Sequence, residues 1–426
     1  MNSSTPLAYD SLKSVLRRMD PNLRLKLSHR IPGIRVAEKS VPLFMEVLAM
    51  GRGQTQIEKT VYEMFCVQPN PLILTDWQEE LISEYVRTTG VHYDLTRYGI
   101  CDYSMEDKRW DGDVALPRSE SQSDVRERVE EDLEELDEMM AMRMDDLTED
   151  SPGTYLIFKV SHPDNKEVYA VEHLDYSRSL AEASKYMNSK LLGGRRHFIR
   201  VKECYDGCEV LRIPVGIRLK VSVWTFITSV EETLKAFAGI IEKDSFPLKQ
   251  VFMEGGFEVC ADPENYLHPV VQAAEHFQIE CPDIENLDWV EVILSVTNLI
   301  GHFECAIRKE DIMFVLLSWM SVGQKKQKPI GFDWSFGVER EEDASDLMAR
   351  LKKLVPTEEI VGLGCKNFPD ILVHPLEADS EMLIYFCDNH LNPLLQEYYR
   401  WELNIRVTSK GHRHLLNINF EDDVFK

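Results

Sequence analysis

The stretch "IRLKVSVWTFITSVEETLKAFAGII" at residues 217–241 carries two hydrophobic periods in succession. Residues 217–223 alternate between apolar and polar side chains, which predicts a half-buried strand. Ser229 and Glu232 then form a capping box, in which each side chain satisfies a backbone amide at a helix start. Apolar residues follow at helical spacing between 234 and 241. The stretch therefore predicts a strand followed directly by a helix, the unit from which layered α/β folds are built.

Similar patterns recur along the chain. They predict further strands at 43–50, 57–67, 154–160, 248–253, 290–296, 330–338, 371–374, 381–387 and 401–408. They predict further helices around 180–191, 270–277, 312–319 and 347–354. The pattern repeats at about 30 to 45 residues, which is irregular for a repeat protein. We therefore expect an α/β (α+β) fold, in which irregular strand–helix repeats follow a short N-terminal helical module. A leucine-rich-repeat-like curved sheet is one form of it.

The opening stretch, "YDSLKSVLRRMDPNLRLKLSHRIPGI" at residues 9–34, predicts two short helices. Asp10 is a good N-cap for the first helix, and Asp20 followed by Pro21 is a second start signal. Apolar residues at helical spacing form one stripe, made of Leu12, Val15, Leu16, Met19, Leu23 and Leu27. Helices this short are marginal alone, so the stripe must be buried. It packs either in the core of its own domain or on another protein, and we keep both alternatives.

Composition divides the chain further. We predict a helical module at 1–40, a small β-rich region at 41–117 and an α/β repeat-like domain at 151–426. Between the last two, residues 118–150 carry 14 acidic and 4 basic side chains. This charge excess predicts an exposed acidic helix or a linker, because few apolar groups are present to offset the entropy of ordering. An acidic docking segment for a basic partner is the alternative.

Cysteine and histidine spacing offers two weak hints of metal binding. Cys204 and Cys208 flank Asp206-Gly207, a strong signal for a two-residue hairpin turn, and the turn alone explains their closeness. His412 and His414 lack a third ligand at metal-binding spacing. We therefore predict no metal site and no cofactor.

Motifs for catalysis are also missing. Gly51 and Gly53, like Gly362 and Gly364, lack the third glycine of a nucleotide-binding fingerprint. The sequence contains no Walker A motif and no G-x-S-x-G nucleophile elbow. Pairing carboxylates from so acidic a sequence would be arbitrary, so we assign no catalytic residue. Trp334 and Phe336 alternate with polar residues on a predicted strand and are interpreted as core.

The formal net charge of −25 repels phosphate backbones and anionic lipids. Basic clusters at 195–202 and 325–328 are interpreted as solvated charge near helix ends or turns, and the binding of an acidic peptide is the alternative. We therefore expect no nucleic-acid partner and no membrane partner. The N-terminal residues lack the pattern of a signal peptide, and nine scattered cysteines suit reduced thiols. A cytoplasmic or nuclear location is the expectation.

Five blocks of the sequence carry a family resemblance. They are "PLAYDSLKSVLRRMDPNLRLKLSHRIPGIRVAEKSVPL" at 6–43, "ASKYMNSKLLGGRRHFIRV" at 183–201, "VLRIPVGIRLKV" at 210–221, "DSFPLKQV" at 244–251 and "KPIGFDWSFG" at 328–337. Together they resemble a large nematode-specific family known only as a domain of unknown function, family 3557. The family has no established catalytic residues, so the resemblance implies none here.

The opening stretch also resembles a diverged F-box. The proline and apolar positions of that module are matched by Pro6, Leu7, Leu12, Val15, Leu16, Met19 and Leu23. The Leu-Pro order is inverted at Pro6-Leu7, and the late tryptophan of the motif is absent. The resemblance implies a helical module that docks on a Skp-type adaptor of ubiquitin ligases, ahead of a substrate-recognition domain.

The leading hypothesis is thus a non-enzymatic, intracellular protein-interaction protein, with the stripe from Leu12 to Leu27 as its candidate docking face. One alternative is a hydrolase or transferase with an unrecognised site, which a converging group of titratable side chains would reveal. The other is a structural or lineage-expanded immune protein.

Overall fold

The structure is a computed structural model of the 426-residue chain. It describes residues 9–67, 92–95, 101–102, 108–116, 154–164, 166–207, 210–254, 260, 262–280, 288–321, 328–338, 340–361, 370–376, 379–388 and 401–411. The chain divides into two compact units. Unit 1 comprises residues 1–222 and 228–245, and unit 2 comprises residues 223–227 and 246–426.

Unit 1 begins with three short helices, which we call the three-helix module. They are α1 (Tyr9–Arg18), α2 (Pro21–Arg30) and α3 (Pro32–Lys39). The Asp20 carboxylate accepts a hydrogen bond of 2.8 Å from the Leu23 amide, and Pro21 occupies the first turn. The predicted start of the second helix is therefore correct. The prediction of two helices is incomplete, because Pro32 ends α2 and also opens α3, where a missing amide proton costs nothing.

A mixed sheet follows the three-helix module. Its strands and two short pairs are β1 (Leu43–Gly51), β2 (Gln54–Ile57), β3 (Thr60–Val67), β4 (Asp94–Leu95), β5 (Cys101–Asp102), β6 (Val114–Ala115), β7 (Tyr155–Ser161), β8 (Val168–Asp175), β9 (Ile199–Asp206) and β10 (Val210–Leu211). The strand order is β9-β1-β2-β3-β7-β8, with β9 parallel to β1 and the others antiparallel. Helix α4 (Leu180–Leu191) packs against β3.

The predicted hairpin at Asp206-Gly207 is wrong in its pairing. Strand β9 pairs with β1 and strand β10 pairs with β6, in a separate two-stranded sheet. The Gly207 amide donates to the carbonyl of Met50, so the chain just after β9 is still hydrogen-bonded to β1. Local turn chemistry identified the break between the strands, but tertiary pairing chose their partners.

The strand and helix of residues 217–241 form as the sequence predicts. Strand β11 (Leu219–Phe226) has its last four residues in unit 2, and α5 (Val230–Ala236) follows in unit 1. The Ser229 hydroxyl caps α5 by accepting from the Glu232 amide. A single 3₁₀ turn covers Lys243–Ser245.

Unit 2 is a mixed sheet with helices between its parallel strands. After β11 come β12 (Gln250–Glu254), β13 (His276–Glu280), β14 (Ile300–Ala306) and β15 (Asp333–Val338), all parallel. Strand β19 (Trp401–Ser409) pairs antiparallel with β15, and the order continues through β18 (Ser380–Asp388), β17 (Asp370–Pro375) and β16 (Glu358–Val361). The expected mixed α/β (α+β) class is confirmed.

The helices of unit 2 are α6 (Pro263–Leu267), α7 (Pro269–Ala273), α8 (Trp289–Ser295), α9 (Lys309–Met320) and α10 (Glu341–Leu354). Two sequence predictions fail in this region. The stretch 290–296 is helical, because Asp288 caps its start by accepting from the Glu291 amide. The predicted helix at 270–277 stops at Ala273, and Phe277 belongs to β13.

One face of the parallel strands in unit 2 carries an aromatic core. Phe277, Phe303, Trp334 and Phe336 are fully buried there. Trp319 of α9 packs edge-on against the Trp334 ring, at 5.4 Å between ring centroids. Because side chains alternate across a strand, the intervening residues of β12 to β15 lie on the opposite face.

Candidate protein-binding surfaces

The predicted docking stripe is divided by burial in the three-helix module. Leu16 is 0% exposed, and Leu12, Met19 and Leu27 are half-buried. Val15 and Leu23 remain 45% and 48% exposed. Pro6 and Leu7 lie outside the described residues. The stripe therefore holds residues of two kinds, some that build the core and some that face solvent.

Three further apolar side chains of the module are exposed. Tyr9 and Ile31 are about half exposed, and Val36 is 66% exposed. Together with Val15 they form what we call the apolar helix surface. Single exposed apolar residues are common on proteins. Counting Leu23, the described part of the module exposes five of them, on helices too short to be stable alone.

A buried arginine fixes the module to its own loop. Arg24 is 1% exposed, and its guanidinium donates to the carbonyls of Pro42 (2.7 Å), Glu38 (2.7 Å) and Val41 (2.6 Å). Its Nε also donates to the Glu38 carboxylate at 2.9 Å. The planar fork of donors on arginine makes such a set of contacts possible.

The Glu38 carboxylate also pairs with a residue far along the chain. Arg195 lies 2.8 Å from Oε1 of Glu38, and both side chains are buried. This contact joins α3 to the loop after α4. The basic cluster at 195–202 was interpreted as solvated charge, and this is wrong for Arg195. Burial, followed by the nearby charge of Arg195, lowers the pKa of Lys39 to about 8.

A groove opens between α2, α4 and the sheet of unit 1. Its volume is about 970 Å³. The apolar residues that line it are Leu23, Leu25, Tyr62, Met64, Phe158, Val160, Leu174, Met187 and Leu191. The sheet residues among them share one face, because Met64 is in register with Phe158 and Tyr62 with Val160. Burial raises the pKa of Tyr62 to about 12, and its hydroxyl donates to Asn22 at 3.0 Å.

The rim of this groove is basic. Lys26, His29, Arg30, Arg35 and Lys190 line it, all with exposed side chains, whereas Glu172 is the acidic residue in the lining. Within the described part of the chain, no ion pair joins any of these five to a carboxylate. Lys190 instead lies over the Tyr186 ring, 4.8 Å from its centroid. Burial and then nearby positive charge lower the pKa of His29. We call this feature the basic groove.

The outermost strand beside the groove is unusually exposed. All eight residues of β8 are solvent-exposed, and Val168, Tyr169, Val171 and Leu174 are large apolar side chains. Strand β8 is the last strand of its sheet in the order given above. An exposed apolar edge of this kind invites contact with another segment of polypeptide.

Unit 2 carries a different polar feature on the sheet face opposite its aromatic core. Gln250 donates to Gln278 at 2.7 Å, and Gln278 donates to Glu304 at 2.9 Å. His302 then lies 3.2 Å from Glu304 through Nε2 and 3.2 Å from Glu402 through Nδ1. We call this chain of contacts across β12, β13, β14 and β19 the polar ladder.

Within the described part of the chain, the polar ladder holds a histidine, a serine and two carboxylates close together. His302 Nδ1 contacts the Ser335 hydroxyl, with carboxylates on both sides of the ring. Burial lowers the pKa of His302, but its hydrogen bond to Glu304 and the charges of Glu402, Glu304 and Asp333 raise it above the ordinary value overall. An imidazolium has no lone pair to take a serine proton. Because both ring nitrogens face carboxylates, the geometry favours a ring that donates to them over a ring that takes a proton from Ser335.

A row of carboxylates borders the polar ladder. Glu254 is in register with Glu280, and Glu280 is in register with Glu304. Burial, then the charges of Glu304 and Glu254, raise the pKa of Glu280. Among the described residues, no group of three or more metal-ligating side chains is placed to hold an ion.

The other residues considered in the sequence have these positions. Cys204 is buried, and Trp334 and Phe336 belong to the aromatic core, as predicted. Cys208, His412, His414 and the acidic segment 118–150 lie outside the described residues. Among the helices described, none is long and apolar enough to cross a membrane.

The basic groove was missed in the sequence, although part of its signal was there. Lys26, His29 and Arg30 recur at helical spacing on α2 within the opening stretch. Leu23 of the apolar stripe precedes Lys26 by about one helical turn and lines the same groove. Lys190 and the floor from β3, β7 and β8 are distant in the sequence, so only the fold brings them to α2.

The fold and these surfaces define a mixed α/β protein with an open groove and no assigned chemistry. In the comparison with protein families, residues 179–340 match the model described as Domain of unknown function (DUF3557). This confirms, over that segment, the resemblance to a family of unknown function. No curated protein and no solved structure matches the chain.

Proposed function

We propose that the protein is a non-enzymatic protein-interaction protein whose three-helix module docks on a Skp-type adaptor. The observation that carries the proposal is the apolar helix surface of Tyr9, Val15, Ile31 and Val36. These side chains are exposed although the module is held firmly through Arg24 and Glu38. A rigid helical platform with outward apolar residues loses little entropy when it binds.

The burial pattern decides which substitutions test this proposal. Leu16 is fully buried, so a charge there disrupts the module and says nothing about docking. Val15 is its neighbour in the stripe but is 45% exposed. A glutamate at position 15 leaves the core intact and places a charge in the proposed interface, where it is desolvated on binding.

The experiment is a pull-down of purified full-length protein on an immobilised Skp-type adaptor. The variants are Val15→Glu and Val36→Glu. Val215→Glu is the matched control, because Val215 is 66% exposed and lies outside the three-helix module. We expect the wild type and Val215→Glu to be retained and the two variants of the module to be lost. Circular dichroism should show all four folded. If the adaptor does not retain the wild type, docking on a Skp-type adaptor is refuted.

A further inference from the structure

We infer that the basic groove binds an acidic amphipathic helix of a partner protein. The inference does not depend on adaptor docking, because Tyr9, Val15, Ile31 and Val36 do not line the groove. It rests on the shape of the floor, the exposure of β8 and the charge of the rim.

The floor is an apolar sheet face that the described helices cover only in part. Tyr62 and Met64 on β3 continue into Val160 and Phe158 on β7, and then into Ala170 on β8. Helix α4 packs against β3. All of β8 is exposed, so the face is left open toward that edge. An apolar sheet face is normally covered by a layer of helix or sheet. A bound helix beside α2 and α4 would continue the existing helical layer.

The positive charge of the groove indicates which charge the bound helix carries. Lys26, His29, Arg30, Arg35 and Lys190 line the groove from the helices, and Glu172 is the acidic residue of the described lining. The chain as a whole has a net charge of −25. A cluster of basic side chains for which no carboxylate partner is described is therefore unusual in this chain. Complementary potentials attract the matching partner and repel partners of like charge. The occupant therefore carries glutamate or aspartate beside its apolar stripe.

The contacts can be assigned by position. Apolar residues spaced three and four apart on the partner helix would lie over Phe158, Val160 and Leu174. Its carboxylates would reach Lys26 and Arg30, which are one turn apart on α2, and Lys190 on α4. His29 is less effective at neutral pH, because burial lowers its pKa.

The test uses a synthetic peptide and the full-length protein. The probe is a fluorescein-labelled peptide of about 18 residues, long enough for about 27 Å of helix, with leucine at helical spacing and glutamate elsewhere. A peptide of the same composition in scrambled order and one with lysine in place of glutamate are the peptide controls. Fluorescence anisotropy should show saturable binding of the probe alone, weakened by added salt.

Charge reversal on the protein then locates the site. The double variant Lys26→Glu, Arg30→Glu should weaken binding about tenfold or more, because two attractions become repulsions. Arg17→Glu, Arg18→Glu makes the same change of net charge on α1, outside the groove lining, and should bind like the wild type. Equal weakening by both double variants would mean non-specific attraction and would overturn the inference.

Absence of binding to the wild type also overturns it. In that event, a chain with residues 118–150 replaced by a glycine–serine linker identifies the reason. Binding to that chain alone would mean that the protein's own acidic segment, and not a partner, occupies the groove.

Discussion

The charged side chains of the basic groove in unit 1 and of the polar ladder in unit 2 differ in their partners. In the polar ladder, His302 faces Glu304 and Glu402, and Glu304 also accepts from Gln278. In the groove, Lys26, Arg30 and their neighbours have no carboxylate partner among the described residues. Charges paired inside the protein are satisfied by the fold, whereas exposed basic side chains beside an apolar floor are accessible to a partner of opposite charge. This difference is why we place the binding function in unit 1.

The same comparison extends to buried charges. Arg24 is buried within unit 1, yet its donors are matched by one carboxylate and several carbonyls. The three-helix module, which carries one wall of the groove, is thus fixed by buried contacts, while its basic side chains in the groove are exposed. Four predictions test this division between structural and binding charges, from the largest expected effect to the smallest.

Arg24→Met should produce the largest loss of stability. The substitution fills similar volume but leaves the carbonyls of Pro42, Glu38 and Val41 without their donor. Removing the donor of three carbonyls and one of the two guanidinium partners of Glu38 should cost about 3 kcal/mol or more. Hydrogen exchange of amides in residues 9–67 during urea titration measures the free energy of unfolding of this part of unit 1.

Arg24→Lys is the control for that prediction. Lysine keeps the charge but lacks the planar fork, so it should recover only part of the lost stability. If Arg24→Met were as stable as the wild type, the module would not be held by this contact, and the rigid-platform argument would fail.

Leu16→Ala and Val15→Ala should differ although they are adjacent. Leu16 is fully buried, so its truncation should cost about 2 to 5 kcal/mol. Val15 is 45% exposed, and its truncation should change stability by about 0.5 kcal/mol or less. Thermal unfolding followed by circular dichroism measures both. Similar losses in the two variants would mean that Val15 is also a core residue and is not available for docking.

Gly301→Ala tests the core beneath the polar ladder. A methyl group at position 301 would lie 2.6 Å from the Trp334 indole, closer than atoms pack. The indole is fully buried, so the ring must shift, which typically costs about 1 to 3 kcal/mol. Five of the seven tryptophans lie in unit 2, so tryptophan fluorescence during urea unfolding reports mainly on that unit. Gly239→Ala, where a Cβ meets nothing within 4 Å, is the control for the added methyl group, and it is followed by circular dichroism because residue 239 lies in unit 1.

The elements that could be predicted are those whose signals are local. The capping box at Ser229, the Asp20-Pro21 start and the alternation in β11 all specify their structure within a few residues. The stretch 290–296 failed, because a short apolar run does not by itself distinguish a buried helix from a buried strand. Its cap at Asp288 was the signal that should have decided it.

The sites depended on contacts that no local pattern encodes. The Glu38–Arg195 pair and the groove between Lys26 and Lys190 each join residues more than 150 positions apart. The stripe from Leu12 to Leu27 was found correctly as apolar, but periodicity cannot divide Leu16 from Val15. That division depends on how α1 packs against α3, which periodicity along one helix does not contain.

His302→Gln should have the smallest effect, and it appears only as a change in pH dependence. The pKa of His302 is raised above 6.5 in the folded state, since its bond to Glu304 and the charges of Glu402, Glu304 and Asp333 outweigh burial. A raised pKa means that the folded state holds the proton more tightly than the unfolded state. The stabilising contribution is therefore complete below pH 6.5 and is lost as pH rises through the folded value. Urea unfolding followed by tryptophan fluorescence should show unit 2 of the wild type losing stability across this window. The His302→Gln variant should lose less.

Glu280→Gln is the control. The pKa of Glu280 is raised from 4.5, so the stabilising contribution of this carboxyl group declines as pH rises from 4.5 and not from 6.5. Parallel curves for the wild type and His302→Gln would mean that the imidazole is not charged in the fold. The polar ladder would then contain a neutral histidine beside Ser335, and the argument against a general base there would be lost.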